Sequence, residues 1–111
     1  MHKQNQEYIV ERFSKNRLPD LEKLYATVYA KQPITGFFAN KYDTAYTGIE
    51  WLGFIAYDTS GFPIAYYGVI PCSIFYEGRI ISAAQSVDTM THPKYQKQGL
   101  FIALADRKSV V

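Results

Sequence analysis

Residues 82–104 read SAAQSVDTMTHPKYQKQGLFIAL. The first part of this stretch has the apolar and hydroxyl content of a strand, His92-Pro93 breaks it, a basic Gln/Gly turn follows, and an apolar helix begins near Leu100. A strand that turns directly into a helix leaves free backbone N–H groups at the helix N-terminus, where the positive end of the helix dipole also points. Such a turn is suited to holding an anion. The expected ligand therefore carries phosphate.

Residues 79–90 form the strand that feeds this turn, and Ile80, Ile81, Ala83, Ala84, Val87 and Met90 predict that it is largely buried. Glu77-Gly78 makes the turn before it. Further upstream, 50–58 (EWLGFIAYD) and 63–76 (PIAYYGVIPCSIFY) are β-rich runs joined by Thr59-Ser60-Gly61-Phe62, a hairpin signal. Pro71 removes one ladder donor from the second run, which predicts a bulge or an edge position there. Residues 34–48 (ITGFFANKYDTAYTG) space Phe37, Phe38, Tyr42, Ala45 and Tyr46 as a short helix or an ordered aromatic loop, with Thr47-Gly48 as its stop.

Nearer the N-terminus, Leu18-Pro19-Asp20-Leu21 opens a helix: proline suits the first turn, Asp20 favours the positive end, and Leu21, Leu24, Tyr25 and Val28 recur at helical spacing. It ends before Lys31-Gln32-Pro33. Residues 7–13 (EYIVERF) read as a first strand. The order strand, helix, helix, strand, strand, strand, helix predicts an α/β (α+β) fold with a mixed, mainly antiparallel sheet flanked by helices.

A chain of 111 residues makes one domain with a modest core. Its hydrophobic content of 48% is that of a folding chain. Twelve basic against ten acidic residues leave a net charge of +2, too balanced for nucleic-acid binding by bulk charge. Ten Tyr and seven Phe at strand spacing read as core and sheet-face residues before they read as a stacking surface for bases. The single Cys72 excludes an internal disulfide and reads as a small buried hydrophobe in a reducing compartment. His2 and His92 make no zinc set. No apolar run reaches the length of a membrane span, and the N-terminus has no secretory signal, so the expectation is a cytoplasmic protein with neither membrane nor nucleic-acid partners.

At Gln96-Lys97-Gln98-Gly99-Leu100-Phe101 the sequence resembles the acyl-CoA-binding motif of the GNAT superfamily of N-acetyltransferases: a Gln or Arg, two free positions, a Gly, one free position, then Gly or Ala. Phe101 stands where the family prefers Gly or Ala, though a backbone amide donates from either. Met90-Thr91-His92-Pro93-Lys94-Tyr95 resembles the end of the family's fourth strand and the turn after it. The resemblance implies an N-acyltransferase, most simply an acetyltransferase, in which an amine attacks the thioester of acetyl-CoA directly. Acetyl-CoA is then a co-substrate and no metal is required. By the same resemblance, backbone N–H groups near Met90 and Thr91 pair with the pantetheine arm and polarise the thioester carbonyl, and those of Gln96, Lys97, Gln98, Gly99, Leu100 and Phe101 hold the diphosphate. Lys94, Lys97, Arg107 and Lys108 are cations within reach of that polyanion or ordinary surface residues.

The proton acceptor is sought on the same strand. Asp88 lies two residues before Met90, so strand alternation puts both on one face. A carboxylate there is a candidate general base, against the alternative of an Asp bonded to the backbone of a bulge. His92 is a weaker candidate, and Glu77 is a turn residue. The acceptor is an amine on a small molecule or a peptide; the resemblance makes Lys41 and the tyrosines of 34–48 candidates for contacting it, against the favoured alternative of aromatic packing over the sheet edge. The family continues past this helix with further strands and a helix, so the sequence resembles the family's N-terminal part. Three readings of the unpaired fourth strand stand open: the chain is part of a longer protein, a second copy covers the edge as a homodimer, or the helix ends differently. The first is the expectation. The alternative function is a non-catalytic acyl-CoA-binding or self-associating module.

Overall fold

The computed structural model describes residues 8–44 and 49–95. Four strands form one antiparallel sheet in sequence order: β1 (Tyr8–Arg12), β2 (Gly53–Asp58), β3 (Pro63–Tyr76) and β4 (Arg79–Thr91). Two helices, α1 (Leu18–Tyr29) and α2 (Phe37–Tyr42), lie between β1 and β2 in the chain. A short 3-10 helix, Lys15–Arg17, precedes α1, and another, Pro93–Tyr95, follows β4 at the His-Pro break. The element order read from the sequence is therefore the observed one as far as β4. The third helix, expected after Gly99, lies outside the described residues.

Local chemistry explains most boundaries. In α1, Pro19 and Asp20 occupy the first turn, and Leu21 and Leu24 are fully buried. The helix stops where Ala30 turns left-handed at φ 60°, one residue before Lys31-Gln32-Pro33. Tyr57 fastens α1 to the sheet: its hydroxyl donates to Asp20 Oδ2 at 2.6 Å and accepts from Arg17 Nη1 at 3.0 Å. Burial and the Asp20 hydrogen bond push the Tyr57 phenol up to about 12, so it remains a donor at ordinary pH. Between β2 and β3, the Asp58 carboxylate accepts the Ser60 and Phe62 N–H groups, both at 2.9 Å, and closes the expected hairpin turn. The β3–β4 turn is the two-residue Glu77-Gly78, with φ of 50° and 79°.

Two expectations need correction, and one is resolved between its alternatives. The second strand begins at Gly53 rather than at residue 50, because Trp51 adopts a positive φ of 56° and breaks the extended run. Of the bulge or edge position expected at Pro71, the structure has the edge position. Pro71 pairs with Ala84 in register, beyond Gly68, where the described part of β2 ends its pairing. Val69 N–H still reaches Leu52, and two residues on Pro71 has no β2 partner to donate to, so among the described residues the missing N–H falls on an open edge. The second correction concerns β4, which is not largely buried: Phe75 and Ile80 at the hairpin end are each 74% exposed, and of the apolar residues named for this strand only Met90 is buried. The hairpin outgrows β2, six residues long, so its far half has no third strand beside it among the described residues.

The sheet packs on both faces nearer its middle. On one face, Leu21 and Leu24 of α1 and Phe38 and Tyr42 of α2 close over Phe13, Ile55, Tyr57, Tyr66 and Met90. On the other, Phe54, Ala56, Ile64, Ala65, Tyr67 and Val69 pack with Val10, Leu52, Phe62 and Tyr95. Among the described residues no helix is long and apolar enough to cross a membrane, and no group of three His, Cys, Asp or Glu stands where it could hold a metal ion.

Candidate active site

A bulge in β4 creates the site. Gly68 pairs with Asp88 and Val69 with Ser86, so Val87 is an extra residue and the strand bends immediately before Asp88. Past the bulge, alternation resumes. Asp88 and Met90 point to the same face, as their spacing predicts, and that face is the one covered by α1 and α2.

Asp88 directly follows the bulge, and the partners that the structure gives its carboxylate are side chains from α2. Lys41 Nζ lies 3.2 Å from Asp88 Oδ1 and 3.1 Å from Oδ2. The Tyr42 hydroxyl donates a short hydrogen bond to Oδ2. Successive residues of one helix thus hold both oxygens of a carboxylate 47 residues further along the chain. The Asp88 side chain remains 17% exposed and that of Lys41 23%, so the pair sits at the edge of the core and within reach of solvent. Lys41 also lies over the Phe37 ring, 5.0 Å from its centroid.

Tyr42 reaches Asp88 through a notch in the sheet. Gly53 and Gly68 are paired across β2 and β3, and the phenols of Tyr42 and Tyr66 occupy the space two side chains would take. Tyr42 packs edge-on against Phe13 and Tyr66, with ring centroids 5.8 and 5.9 Å apart. Burial, then the neighbouring Tyr66 and the Asp88 carboxylate, hold the Tyr42 phenol far above the ordinary tyrosine range. Tyr42 is therefore a permanent donor to Asp88. Burial likewise raises Tyr66, which is 1% exposed and whose hydroxyl, close to that of Tyr42, makes no well-formed hydrogen bond among the described residues. A buried hydroxyl without a partner costs roughly 1–3 kcal/mol. Tyr66→Phe is accordingly expected to stabilise the fold by about 1 kcal/mol, read as a higher melting temperature; a lower one would mean that the hydroxyl has a partner worth keeping.

Of the other residues singled out by sequence, Met90 is buried in the core shared with α1 and α2, and Thr91 ends β4 opposite Ala65. His92 accepts the Lys94 N–H on Nδ1 at 3.0 Å and packs edge-on against Phe62 and Tyr95. It closes the turn rather than facing Asp88. Glu77 forms the hairpin turn, and Cys72 is half-buried on the overhanging part of β3. Gln96, Lys97, Gln98, Gly99, Leu100 and Phe101 lie outside the described residues, as do Arg107 and Lys108.

No protein-family model matches the sequence, and no curated protein matches it significantly. Solved structures do match in shape. The aminoglycoside antibiotic 6'-N-acetyltransferase of Acinetobacter baumannii superposes over 94% of this chain and 70% of its own, with a TM-score of 0.67 at 14% identity. An acetyltransferase of Trypanosoma brucei matches over 94% and 73%, with a TM-score of 0.65 at 18% identity. The ribosomal-protein-S18-alanine N-acetyltransferase of Escherichia coli matches over 91% and 56%, with a TM-score of 0.62 at 17% identity. The fold is that of the GNAT acetyltransferases. The chain spans between 56% and 73% of the length of these three structures. Within the GNAT fold as this chain builds it, the sequence did not announce the Lys41–Asp88–Tyr42 contact or the glycine notch. The one available signal was period-two spacing, which sets Tyr66 and Gly68 on one face of β3.

Proposed function

We propose that this protein is an acyl-CoA-dependent N-acetyltransferase whose acceptor amine is deprotonated by Asp88. The observation that carries the reading is the Asp88 carboxylate, fixed by Lys41 and Tyr42 beside the β4 bulge and still open to solvent, on a fold shared with acetyltransferases. An amine brought to this carboxylate loses its proton as it attacks a thioester carbonyl, and the carboxylate is already oriented to take it. Among the described residues β4 has a sheet neighbour on one side only, so alternate N–H groups along it face outward. By the family resemblance, backbone N–H groups near Met90 and Thr91 are the donors we assign to the pantetheine arm and to the oxyanion that forms on the thioester carbonyl. The amides of residues 96–101 are assigned to the diphosphate, for the reason the motif gives: main-chain donors in front of an apolar helix. The acceptor is a primary amine on a small molecule or a peptide.

The test is direct. A ligand that binds only the folded state stabilises it by about 2.7 kcal/mol at roughly a hundredfold excess over its Kd. Acetyl-CoA is therefore expected to raise the melting temperature of the chain by several degrees, with desulfo-acetyl-CoA analogues and CoA doing the same and free acetate having no effect. Thiol release on adding members of an amine panel then identifies the acceptor. No thermal shift with acetyl-CoA would overturn the reading.

A further inference from the structure

The group that already occupies the Asp88 carboxylate is itself a primary amine. Lys41 Nζ lies 3.1 and 3.2 Å from the two carboxylate oxygens, at hydrogen-bond distance from both. An acceptor amine bound for proton transfer to Asp88 has to come within the same 2.6–3.2 Å or so of the same atoms. Resting protein and substrate complex cannot both place an ammonium there unless Lys41 withdraws. Lys41 stands next to Tyr42, whose buried ring anchors that end of α2, while its own side chain remains 23% exposed along the ring of Phe37. The amine is thus both positioned and accessible.

We infer that Lys41 is an acceptor for this protein's own acetyl transfer, a self-modification site beside the Asp88 carboxylate. This inference rests on the proposed function, since it takes acetyl-CoA as the acyl donor and Asp88 as the base. Asp88 takes one proton from the Lys41 ammonium and passes it to solvent. The free amine attacks the thioester carbonyl carbon and an N–C bond forms. The C–S bond breaks with its electron pair on sulfur, and the second proton lost from nitrogen ends on the departing thiolate. The products are an amide on Lys41 and the CoA thiol.

The consequence for the site is electrostatic. Acetylation removes the only cation that the structure pairs with Asp88 among the described residues, and a neutral amide on a longer side chain no longer competes with an incoming ammonium for the carboxylate. The modified protein should therefore bind a cationic acceptor more tightly than the unmodified one. Self-acetylation is a priming step in which the first acetyl group frees the Asp88 carboxylate for the second substrate.

The experiment uses the full chain with acetyl-CoA and no added amine, followed by intact mass and peptide mapping. One acetyl group is expected at Lys41, added at least about tenfold faster than at the exposed Lys23, Lys31 or Lys94. Lys41→Arg, which keeps a cation on Asp88 and the fold but lacks a primary amine, should lose that rapid phase, and Asp88→Asn should slow it at least about tenfold while leaving the other lysines unchanged. Acetylation of Lys41 no faster than that of the surface lysines, or a rate indifferent to Asp88→Asn in a protein of unchanged circular dichroism, overturns the inference. If acetyl-CoA raises the melting temperature and Lys41 stays unmodified, self-acetylation alone falls. If acetyl-CoA produces no thermal shift, the underlying reading falls with it.

Discussion

Replacing Gly68 with alanine is expected to destabilise the protein by about 3 kcal/mol or more, at the upper end of what an added methyl costs in a packed interior. An alanine Cβ at this position would lie 2.3 Å from the Tyr42 hydroxyl, 2.5 Å from the Tyr66 hydroxyl and 2.6 Å from a Tyr66 ring carbon. Such contacts are relieved cheaply only if the side chains can move. These cannot: Tyr42 and Tyr66 are each 1% exposed and wedged against each other and Phe13. The melting temperature should fall by roughly 10–20 °C for a domain of this size. Gly61→Ala is the control, since nothing lies within 4 Å of its Cβ position and only its positive φ of 87° opposes the change; it should cost about 1 kcal/mol. A melting temperature for Gly68→Ala within a few degrees of the parent would mean that the notch is not closed as described. If the protein survives the substitution by expelling Tyr42, the Asp88 carboxylate loses a donor and the site is altered as well.

How much of this was legible in the sequence depended on the range of the forces involved. The helix α1 could be read because its signals are local: proline and aspartate in the first turn, and leucines three residues apart. The turns at Ser60-Gly61 and Glu77-Gly78 could be read for the same reason. The shared face of Asp88 and Met90 followed from strand geometry alone, since the bulge falls before both residues and leaves their relative phase intact. Burial of β4 could not be read, because it depends on whether a neighbouring strand is long enough to support it. The apolar character of Ile80 and Ile81 says nothing about the six-residue length of β2. The Lys41–Asp88 pair is equally non-local, and an aromatic-rich helix of six residues carries no mark of where its one lysine points. The motif at residues 96–101 stands on sequence alone, since it lies outside the described residues.

Asp88→Asn is expected to lower turnover with the acceptor amine by at least about 100-fold, the range associated with a positioned acid–base group. Asparagine keeps the size of the side chain and one carbonyl oxygen, so Tyr42 and Lys41 retain an acceptor, but the amide cannot take a proton. Affinity for acetyl-CoA should change by no more than about twofold, because the lost interaction belongs to the transferring proton rather than to the bound thioester. The substitution also leaves the Lys41 ammonium beside a neutral group, at a stability cost of roughly 1 kcal/mol in a pair this close to solvent. Turnover is therefore compared well below both melting temperatures. A purely structural role for Asp88 predicts that activity returns once the folded fraction is equal. A general base predicts a different signature: the residual rate of the variant climbs with pH toward the acceptor's own pKa, since an amine already deprotonated in solution needs no carboxylate, and Asp88→Glu recovers part of the loss near neutral pH. Equal turnover of Asp88→Asn and parent at every pH would remove Asp88 from the chemistry and leave the Lys41–Asp88–Tyr42 contact as a clasp between α2 and the sheet.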